Sequence, residues 1–290
     1  MAHHADTWLA AVEETIRLAE ASGDLHLRIA MRAAGAYAYL CAGEFDRFDR
    51  ELGVVLELAG DDRRAGAGIV IGSPVAWAVM AKGLVQREWG QLEKAEEMFN
   101  RALRIADEEG DPEIASWTRS NQALLLGMRG EAEAGVALAR RNCELTERLG
   151  DVFSRSLAVA NLGAVQLLAE EYVDALDSFE EAERVYRSAV PEGDEMESWR
   201  DALRAQALAG VGRTEEGIEM AEHSVRIARE RGLRWSLPLA LLAVARTRAA
   251  AGAGGVHEAL DEAAAVAEET GAVTSLTSIE EEREALATSR

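Results

Sequence analysis

The chain has 290 residues, of which 48% are hydrophobic and 5% aromatic, and it contains four prolines. This composition suits close-packed helices and leaves little material for a β-sheet. The formal net charge is −21, from 52 acidic and 31 basic residues. Such a charge repels a nucleic-acid backbone, so we expect no direct binding of DNA or RNA.

The chain shows no sign of a membrane segment or of disulfide chemistry. Its longest stretch without a charge, 65–81, is interrupted by Gly72 and Pro74 and is shorter than the ~20 apolar residues that span a bilayer. The start of the chain has no signal-peptide character. The only cysteines, Cys41 and Cys143, form neither a disulfide framework nor a metal-ligand spacing. We therefore expect a cytoplasmic protein.

Glycine marks a regular interval along the chain. Glycines close the predicted helical stretches at steps of 37, 50, 40, 43, 39 and 39 residues: Gly23, Gly60, Gly110, Gly150, Gly193, Gly232 and Gly271. The first five are each followed by an aspartate: Asp24, Asp61, Asp111, Asp151 and Asp194. A glycine in the left-handed conformation ends a helix, and an aspartate after it can cap the next one.

A second series of turn residues lies between those marks: Gly43, Gly90, Gly130, Gly212 and Gly254, with Glu170 in the remaining slot. Each interval of about 40 residues therefore holds two helices and two tight turns. This pattern is typical of an α-solenoid, and solenoids usually bind other molecules rather than transform them.

In chain order, the spacing predicts an all-α single domain over 1–290, a right-handed superhelix of about 13 or 14 helices. The predicted elements are a lone helix at 6–22, helix pairs at 25–59, 74–109, 112–149, 152–190, 194–231 and 235–270, and a polar capping helix at 274–287. The lone helix corresponds to the second helix of a repeat whose first helix is missing. We therefore expect one module of a longer, multidomain protein.

The 50-residue step contains an inter-repeat loop at 61–74. Its segment from Arg63 to Pro74 reads RRAGAGIVIGSP, which is too short and glycine-rich for a helix. It is either a plain surface loop or, because it carries apolar side chains, a flap over a groove or a contact in a homodimer. Those apolar side chains are Ile69, Val70 and Ile71.

The pair at 76–109 has the clearest packing pattern. Gly83 lies seven residues before the Gly90 turn, and Phe99 lies nine residues after it. Together with small residues at Ala95 and Ala102, this pattern resembles the tetratricopeptide repeat, in which small residues let two antiparallel helices approach closely. The resemblance extends more loosely over six helix pairs.

The loop followed by repeats that end in Gly-Asp also resembles a particular setting. Similar helical repeats lie carboxy-terminal to the ATPase of bacterial signalling proteins, notably those with a class III adenylate/guanylate cyclase domain, and in LuxR-type transcription factors. The resemblance implies a regulatory, interaction-mediating region that contacts the other domains of its parent protein. It implies no catalytic residue in this chain.

The resemblance places the first helix of each pair on a concave groove. Thirteen residues before the turn, the pairs carry Ala30, Trp77, Trp117, Leu157, Trp199 and Leu241. Four residues later they carry Ala34, Ala81, Asn121, Asn161, Leu203 and Ala245. The candidate groove residues are Trp77, Met80, Trp117, Asn121, Leu124, Met128, Leu157, Asn161 and Trp199.

In this interpretation the tryptophans supply apolar contacts, while the asparagines hold the main chain of an extended peptide through both a donor and an acceptor. Two alternatives stay open. The tryptophans can instead pack between adjacent repeats, and the asparagines can cap locally or bind water.

No motif for catalysis or for a bound cofactor is present. Neither lysine follows a glycine as a P-loop requires, and no serine has a nucleophile-elbow context. His257 and Asp261 stand four residues apart on one helix face and could hold one edge of a metal site, but no third ligand is placed to complete it, so we expect an exposed pair. His26 and His223 have the pattern of ordinary surface or boundary residues. We expect no metal, no cofactor and no enzyme activity.

Two functions fit these features. The first is a non-catalytic scaffold that binds a protein or peptide segment in the groove. The second is a regulatory domain in which the same groove senses a small molecule and controls an attached ATPase, cyclase or DNA-binding domain.

Overall fold

The computed structural model describes residues 4–190 and 195–288. These residues form fourteen α-helices and no β-strand, which confirms the all-α fold class. The helices are α1 His4–Ser22, α2 Leu25–Cys41, α3 Phe45–Ala59, α4 Pro74–Glu88, α5 Leu92–Glu109, α6 Pro112–Met128, α7 Ala132–Leu149, α8 Val152–Leu168, α9 Tyr172–Arg187, α10 Glu197–Gly210, α11 Thr214–Arg231, α12 Leu237–Ala250, α13 Val256–Thr270 and α14 Val273–Thr288. The helix end predicted at Gly193 and the cap predicted at Asp194 lie outside the described residues.

Six antiparallel pairs follow the lone helix α1: α2–α3, α4–α5, α6–α7, α8–α9, α10–α11 and α12–α13. We call the first member of each pair an inner helix and the second an outer helix. Each helix packs on its neighbours in sequence, and most inner helices also pack on the inner helix of the next pair. The repeats therefore bury their apolar faces against one another, as a solenoid requires, in four hydrophobic clusters among the described residues.

Aspartate caps join several repeats as predicted. Asp24, Asp111 and Asp151 each accept a hydrogen bond from the backbone N–H three residues later. The prediction is wrong at Asp61, because the loop separates it from α4 and Ser73 caps that helix instead. A side-chain acceptor at this position satisfies one of the free N–H groups of the first helical turn.

The tight turn inside each pair needs one residue with positive φ. The residues in this conformation are Gly43, Gly90, Gly130, Glu170, Gly212 and Gly252. Glu170, at φ 61°, is the one described non-glycine residue with positive φ, in the slot where the sequence lacks a glycine. In the last pair the turn glycine is Gly252, so the prediction of Gly254 is wrong by two residues.

Two kinds of helix pair alternate along the solenoid. In α4–α5 and α8–α9, a glycine of the inner helix lies against a phenylalanine ring of the outer helix, as Gly83 does against Phe99. In α6–α7 and α10–α11, the glycine is on the outer helix and lies against inner-helix backbone. A Cβ added to Gly135 would be 2.7 Å from the Ala123 carbonyl oxygen.

Buried serines link the helices of three pairs by hydrogen bonds. Each occupies the same inner-helix position, and its partner lies 26 residues later: Ser116 with Asn142, Ser156 with Ala182, and Ser198 with Ser224. Asn142 donates to Ser116 O at 2.9 Å, while Ser198 and Ser224 each donate to the other's carbonyl oxygen. These bonds fix the register of the inner helix against the outer one.

The carboxy-terminal helices return to contact the first repeats. The backbone N–H of Trp235 donates to the Cys41 carbonyl oxygen at 3.4 Å, and Thr274 Oγ1 donates to the Arg87 carbonyl oxygen. A Cβ added to Gly43 would be 2.7 Å from Thr270 Cγ2, so this turn glycine is needed for close approach as well as for its φ. One core cluster consequently includes residues from both ends of the solenoid.

Candidate functional site: the central chamber

The concave side contains a partly open cavity of about 260 Å³, which we call the aromatic chamber. Four of the six tryptophans in the chain line it, although only 5% of all residues are aromatic. Its aromatic side chains are Tyr37, Trp77, Trp117, Phe153, Trp199 and Trp235. Such a wall is typical of a site for an apolar ligand.

The structure brings most of the predicted groove residues together around this chamber. Eight of the nine line it: Trp77, Met80, Trp117, Asn121, Leu124, Leu157, Asn161 and Trp199. The ninth, Met128, lines a second cavity of about 290 Å³ next to the first. The inner-helix positions therefore converge in space.

The tryptophans combine the two roles that the sequence left open. Trp77 is 7% exposed and packs edge-to-face on Phe48 of the preceding pair, with ring centroids 6.2 Å apart. Trp117 packs in the same way on Phe153 of the following pair, at 5.5 Å. Each ring thus joins two repeats while one part of it faces the chamber.

Hydrogen bonds fix the orientation of Trp117. Its Nε1 donates to Ser154 Oγ at 2.8 Å, and the Ser154 backbone N–H donates to the capping carboxylate of Asp151 at 2.6 Å. The end of α8 that carries Asp151 therefore holds a side chain of α6 in place. A ring held from two sides loses little entropy when a ligand packs on it.

Both predicted asparagines make the same bond within their own helix. Asn121 Nδ2 donates to Trp117 O, and Asn161 Nδ2 donates to Leu157 O, each at 2.9 Å. A backbone carbonyl oxygen only accepts hydrogen bonds, which fixes the orientation of each amide. Each bond uses one of the two N–H groups of the amide, so the second N–H and Oδ1 are the polar groups that the side chain has beyond this bond.

A polar belt crosses the chamber wall at Arg87. Its Nη1 donates to Asn121 Oδ1 at 2.9 Å, and its Nη2 donates to Glu88 Oε1 at 3.1 Å. Arg87 and Glu88 are the charged residues among those lining the chamber, and they neutralise each other. The chamber wall therefore carries no net charge of its own.

The second cavity is more polar. It shares part of its wall with the aromatic chamber and adds, among others, Gln206, Arg246, Ser275 and Ser278. Arg246 donates to Glu282 at 2.8 Å and to Gln206 at 2.7 Å. The shared wall consists of Arg87, Glu88, Leu124, Trp199 and Trp235. The two cavities thus form an apolar and a polar compartment along the solenoid.

The inter-repeat loop contributes one side chain to the chamber. Ile71 lines it, while Ile69 and Val70 are 46% and 52% exposed. His26 Nδ1 accepts a hydrogen bond from the Gly66 N–H at 3.0 Å and so ties the loop to α2. His26 itself is exposed at the start of α2, as expected of a surface or boundary residue.

Several chamber residues were not predicted. Phe153 and Tyr37 lie one turn from predicted groove positions, so an extension of the inner face by three or four residues finds them. Trp235 precedes α12 and carries no periodic signal. It reaches the chamber because the last repeats fold back onto α2.

The remaining polar side chains form no recognisable reactive site. Burial raises the pKa of the Cys41 thiol and raises the pKa of Cys143 to about 11. Among residues 4–190 and 195–288, no three His, Cys, Asp or Glu side chains are grouped to hold a metal ion. The His223 side chain is 38% exposed, and its Nδ1 lies 3.1 Å from Oδ2 of Asp201, whose pKa is raised by burial. No described helix is long and apolar enough to cross a bilayer.

A sequence model of the tetratricopeptide repeat matches residues 78–109. No curated protein matches the sequence. Solved structures do resemble the fold. Rap protein complexed with Competence and Sporulation Factor has a TM-score of 0.61 at 12% identity, over 92% of this chain and 76% of that one. The chain folds as a tetratricopeptide-like solenoid.

Two further structures have the same architecture. One is a Signal Transduction ATPase with Numerous Domains with a tetratricopeptide repeat sensor, from Pyrococcus horikoshii, at TM-score 0.56 and 14% identity over 97% of this chain and 41% of that one. The other is BtubC from P. vanneervenii. It has a TM-score of 0.52 at 16% sequence identity, over 78% of this chain and 91% of that one. At these identities the likeness shows the fold and not the ligand.

Proposed function

We propose that this solenoid is a non-catalytic scaffold that binds a short peptide segment through apolar side chains held in the aromatic chamber. One observation carries the proposal: eight side chains chosen for their inner-helix positions line one cavity. A cavity of about 260 Å³ accepts a few side chains, not a folded domain. The occupant is therefore a short or extended segment.

The environment of the chamber supports an apolar anchor. The rings are held by neighbouring repeats, so a ligand meets a preformed surface. The polar groups on the wall are few and converge near Arg87 and the two asparagines, which is the usual composition of a selective pocket. A binding segment would place an aromatic or aliphatic side chain among the tryptophans and its main chain near Asn161.

The test uses a peptide selected against the intact chain from a random library. Ala34 lines the chamber, and Ala34→Phe would fill part of it. Ala137 is exposed on the outer helix α7, so Ala137→Phe makes the same chemical change outside the chamber. We expect the first variant to weaken binding at least ten-fold, measured by fluorescence anisotropy, and the second to leave it unchanged.

Equal affinities of both variants and the wild type would place the site elsewhere and contradict the proposal. Circular dichroism and thermal melting of both variants separate a blocked chamber from a lost fold.

A second function is favoured by the shape of the chamber. Contacts such as the one between Trp235 and Cys41 bring the ends of the solenoid together, and a concave, mostly apolar cavity is suited to a small molecule. A sensor of this kind would melt at higher temperature with its small ligand and without any peptide. A small-molecule library screened by thermal shift, with Ala34→Phe as the control, distinguishes this function from peptide binding.

We further infer that the module serves a multidomain bacterial regulatory protein in the cytoplasm. The fold resembles a signal-transduction ATPase with a tetratricopeptide repeat sensor over 97% of this chain, and this resemblance supports a regulatory role. Reading the coding sequence around this segment tests it directly. An adjoining ATPase, cyclase or DNA-binding domain is expected, and a free-standing reading frame would contradict it.

A further inference from the structure

The aromatic chamber and the second cavity adjoin at a wall that both of them share. Trp199 and Trp235 belong to this wall, together with the ion pair between Arg87 and Glu88. The volumes of the two cavities are about 260 and 290 Å³. A ligand that extends across the wall therefore has one part in an apolar compartment and another part in a polar one.

A hydrogen-bond donor at the shared wall has no acceptor. The Trp235 Nε1 atom is buried, and no residue in the described part of the chain accepts its hydrogen. An indole nitrogen only donates. A buried donor without a partner raises the free energy of the empty site, and an oxygen acceptor that reaches it restores the missing bond.

Arg246 supplies further donors in the second cavity. Its Nε donates to Glu282 at 2.8 Å, and its Nη1 donates to Gln206 Oε1 at 2.7 Å. Its Nη2 makes no hydrogen bond with any residue that the structure describes, and the side chain is 35% exposed. A guanidinium group only donates, so Nη2 is also available to an acceptor.

The charges at the two cavities are balanced. Arg87 pairs with Glu88, and Arg246 pairs with Glu282. Net charge therefore gives a ligand little preference for its own sign. The type of hydrogen bond that the unpaired groups require is what distinguishes one ligand from another, and both Trp235 Nε1 and Arg246 Nη2 require an acceptor.

We infer that the two cavities together bind a ligand with an apolar body and an oxygen acceptor at one end, a carbonyl or a carboxylate. The body lies in the aromatic chamber, and the oxygen meets Trp235 Nε1 at the shared wall and Arg246 Nη2 beyond it. Because Nε1 is buried, the indole turns slightly to meet the ligand. The inference rests on the proposed binding function and names the chemistry of the occupant.

Three matched probes test the selection: 4-phenylbutanoate, 4-phenylbutanamide and 4-phenylbutylamine. They share one apolar body and differ in the end group, which is a carboxylate, a neutral amide or an ammonium that only donates. Each would be titrated into the full chain and followed by isothermal titration calorimetry. We expect the better of the two oxygen-bearing probes to bind roughly ten-fold or more tightly than the amine, because hydrogen bonds to a charged donor are the stronger kind.

The carboxylate and the amide separate two sources of the oxygen in a peptide. Tighter binding of the carboxylate indicates the carboxyl terminus or an acidic side chain, and tighter binding of the amide indicates a main-chain carbonyl group. Both results support the inference. Equal affinities of all three probes, tighter binding of the amine, or no binding of any probe would each overturn it.

Two variants assign the preference to the named donors. Trp235→Phe removes the N–H and keeps an aromatic ring, and Trp89→Phe is its control, because Trp89 lies at the end of α4 and lines neither cavity. Arg246→Leu removes the guanidinium, and its control is Arg248→Leu in the same helix, where Arg248 pairs with Glu222 at 2.8 Å.

We expect Trp235→Phe and Arg246→Leu each to reduce the preference for oxygen-bearing probes roughly three-fold or more, and the controls to retain it. A preference that survives both substitutions would overturn the inference. The comparison of probes on the wild type needs no variant, so a poorly folded variant leaves that test intact.

Failure of this inference is distinguishable from failure of the proposed function. If the peptide selected from the library loses affinity in Ala34→Phe while the three probes bind equally, the chamber binds its segment but selects no oxygen acceptor. If that peptide binds Ala34→Phe as well as the wild type, the proposed function itself is wrong.

Discussion

The pairs α4–α5 and α6–α7 have the same kind of turn, with a left-handed glycine at Gly90 and Gly130, yet their helices are held together differently. In the first, the Phe99 ring fills the space over Gly83, so a large side chain determines the helix separation. In the second, Gly135 lies against the backbone at Ala123, so the absence of a side chain determines it. Each arrangement recurs two pairs later, in α8–α9 and α10–α11. One repeat length is thus compatible with two packing solutions.

The alternation matters for the chamber because it places different side chains on successive inner helices. The pairs in which a glycine lies against backbone, α6–α7 and α10–α11, are the glycine-approach pairs, and they carry Trp117 and Trp199 at the groove position. The pairs in which a glycine lies against a phenylalanine ring, α4–α5 and α8–α9, are the phenylalanine pairs, and they carry Trp77 and Leu157 there. All four line the chamber. The chamber wall is therefore built on both kinds of packing, and damage to either should disturb it.

The largest expected effect is on the phenylalanine pairs. Phe99→Ala removes a fully buried ring and leaves a cavity over Gly83. We expect a loss of roughly 3–5 kcal/mol in the free energy of unfolding, measured by denaturant titration. A loss below about 1 kcal/mol would mean that the ring does not set the helix separation in this pair.

The second prediction concerns the glycine-approach pairs. Gly135→Ala adds a methyl group 2.7 Å from a backbone oxygen, and backbone cannot move aside as a side chain can. We expect destabilisation by about 1–3 kcal/mol in spite of the higher helix propensity of alanine.

Gly53 is the matched control, because it also lies within a helix but has nothing within 4 Å of an added Cβ. Gly53→Ala should stabilise the protein by up to about 1 kcal/mol through helix propensity alone. If both substitutions are stabilising, the close approach at Gly135 is not a constraint on the fold.

The third prediction tests the polar link of α6–α7. Asn142 is 1% exposed and donates to Ser116 O and Ser120 Oγ. Asn142→Ala should cost about 1–3 kcal/mol, because it leaves buried acceptors without a donor. Asn100 is exposed, and Asn100→Ala should change stability by less than about 0.5 kcal/mol in the same thermal melts. Similar costs at the two sites would rule out a special role for the buried bond.

The smallest expected effect is a gain at a turn. Glu170 adopts φ 61°, which disfavours every residue with a side chain, whereas the other pairs place glycine there. Glu170→Gly should raise the free energy of unfolding by roughly 0.5–1 kcal/mol, since the relief of strain exceeds the entropy cost of glycine. A lower melting temperature would show that Glu170 makes a compensating contact.

The sequence was sufficient for the parts of the fold that depend on local spacing. Turn glycines and capping aspartates lie close in sequence to the helices that they bound, so their positions predict the helices directly. The same spacing placed Trp117 and Asn161 on the inner face. The error at Gly254 arose because the last turn carries several glycines and only the backbone conformation distinguishes them.

Features that depend on the path of the whole solenoid could not be predicted in this way. The contact of Trp235 with Cys41 joins residues almost 200 positions apart, and it results from small rotations summed over several repeats. The hydrogen bonds that orient the two asparagine amides depend on side-chain rotamers, which the sequence spacing does not encode. Arg87 was likewise missed, because a charged residue near a helix end is usually solvated.

The most direct test of the central claim is a crystal structure of the chain with the tightest peptide selected from the random library. The account predicts an aromatic or aliphatic side chain of the peptide among the chamber tryptophans, with its main chain near Asn161. A peptide bound on the outer helices, with the chamber empty, would contradict it.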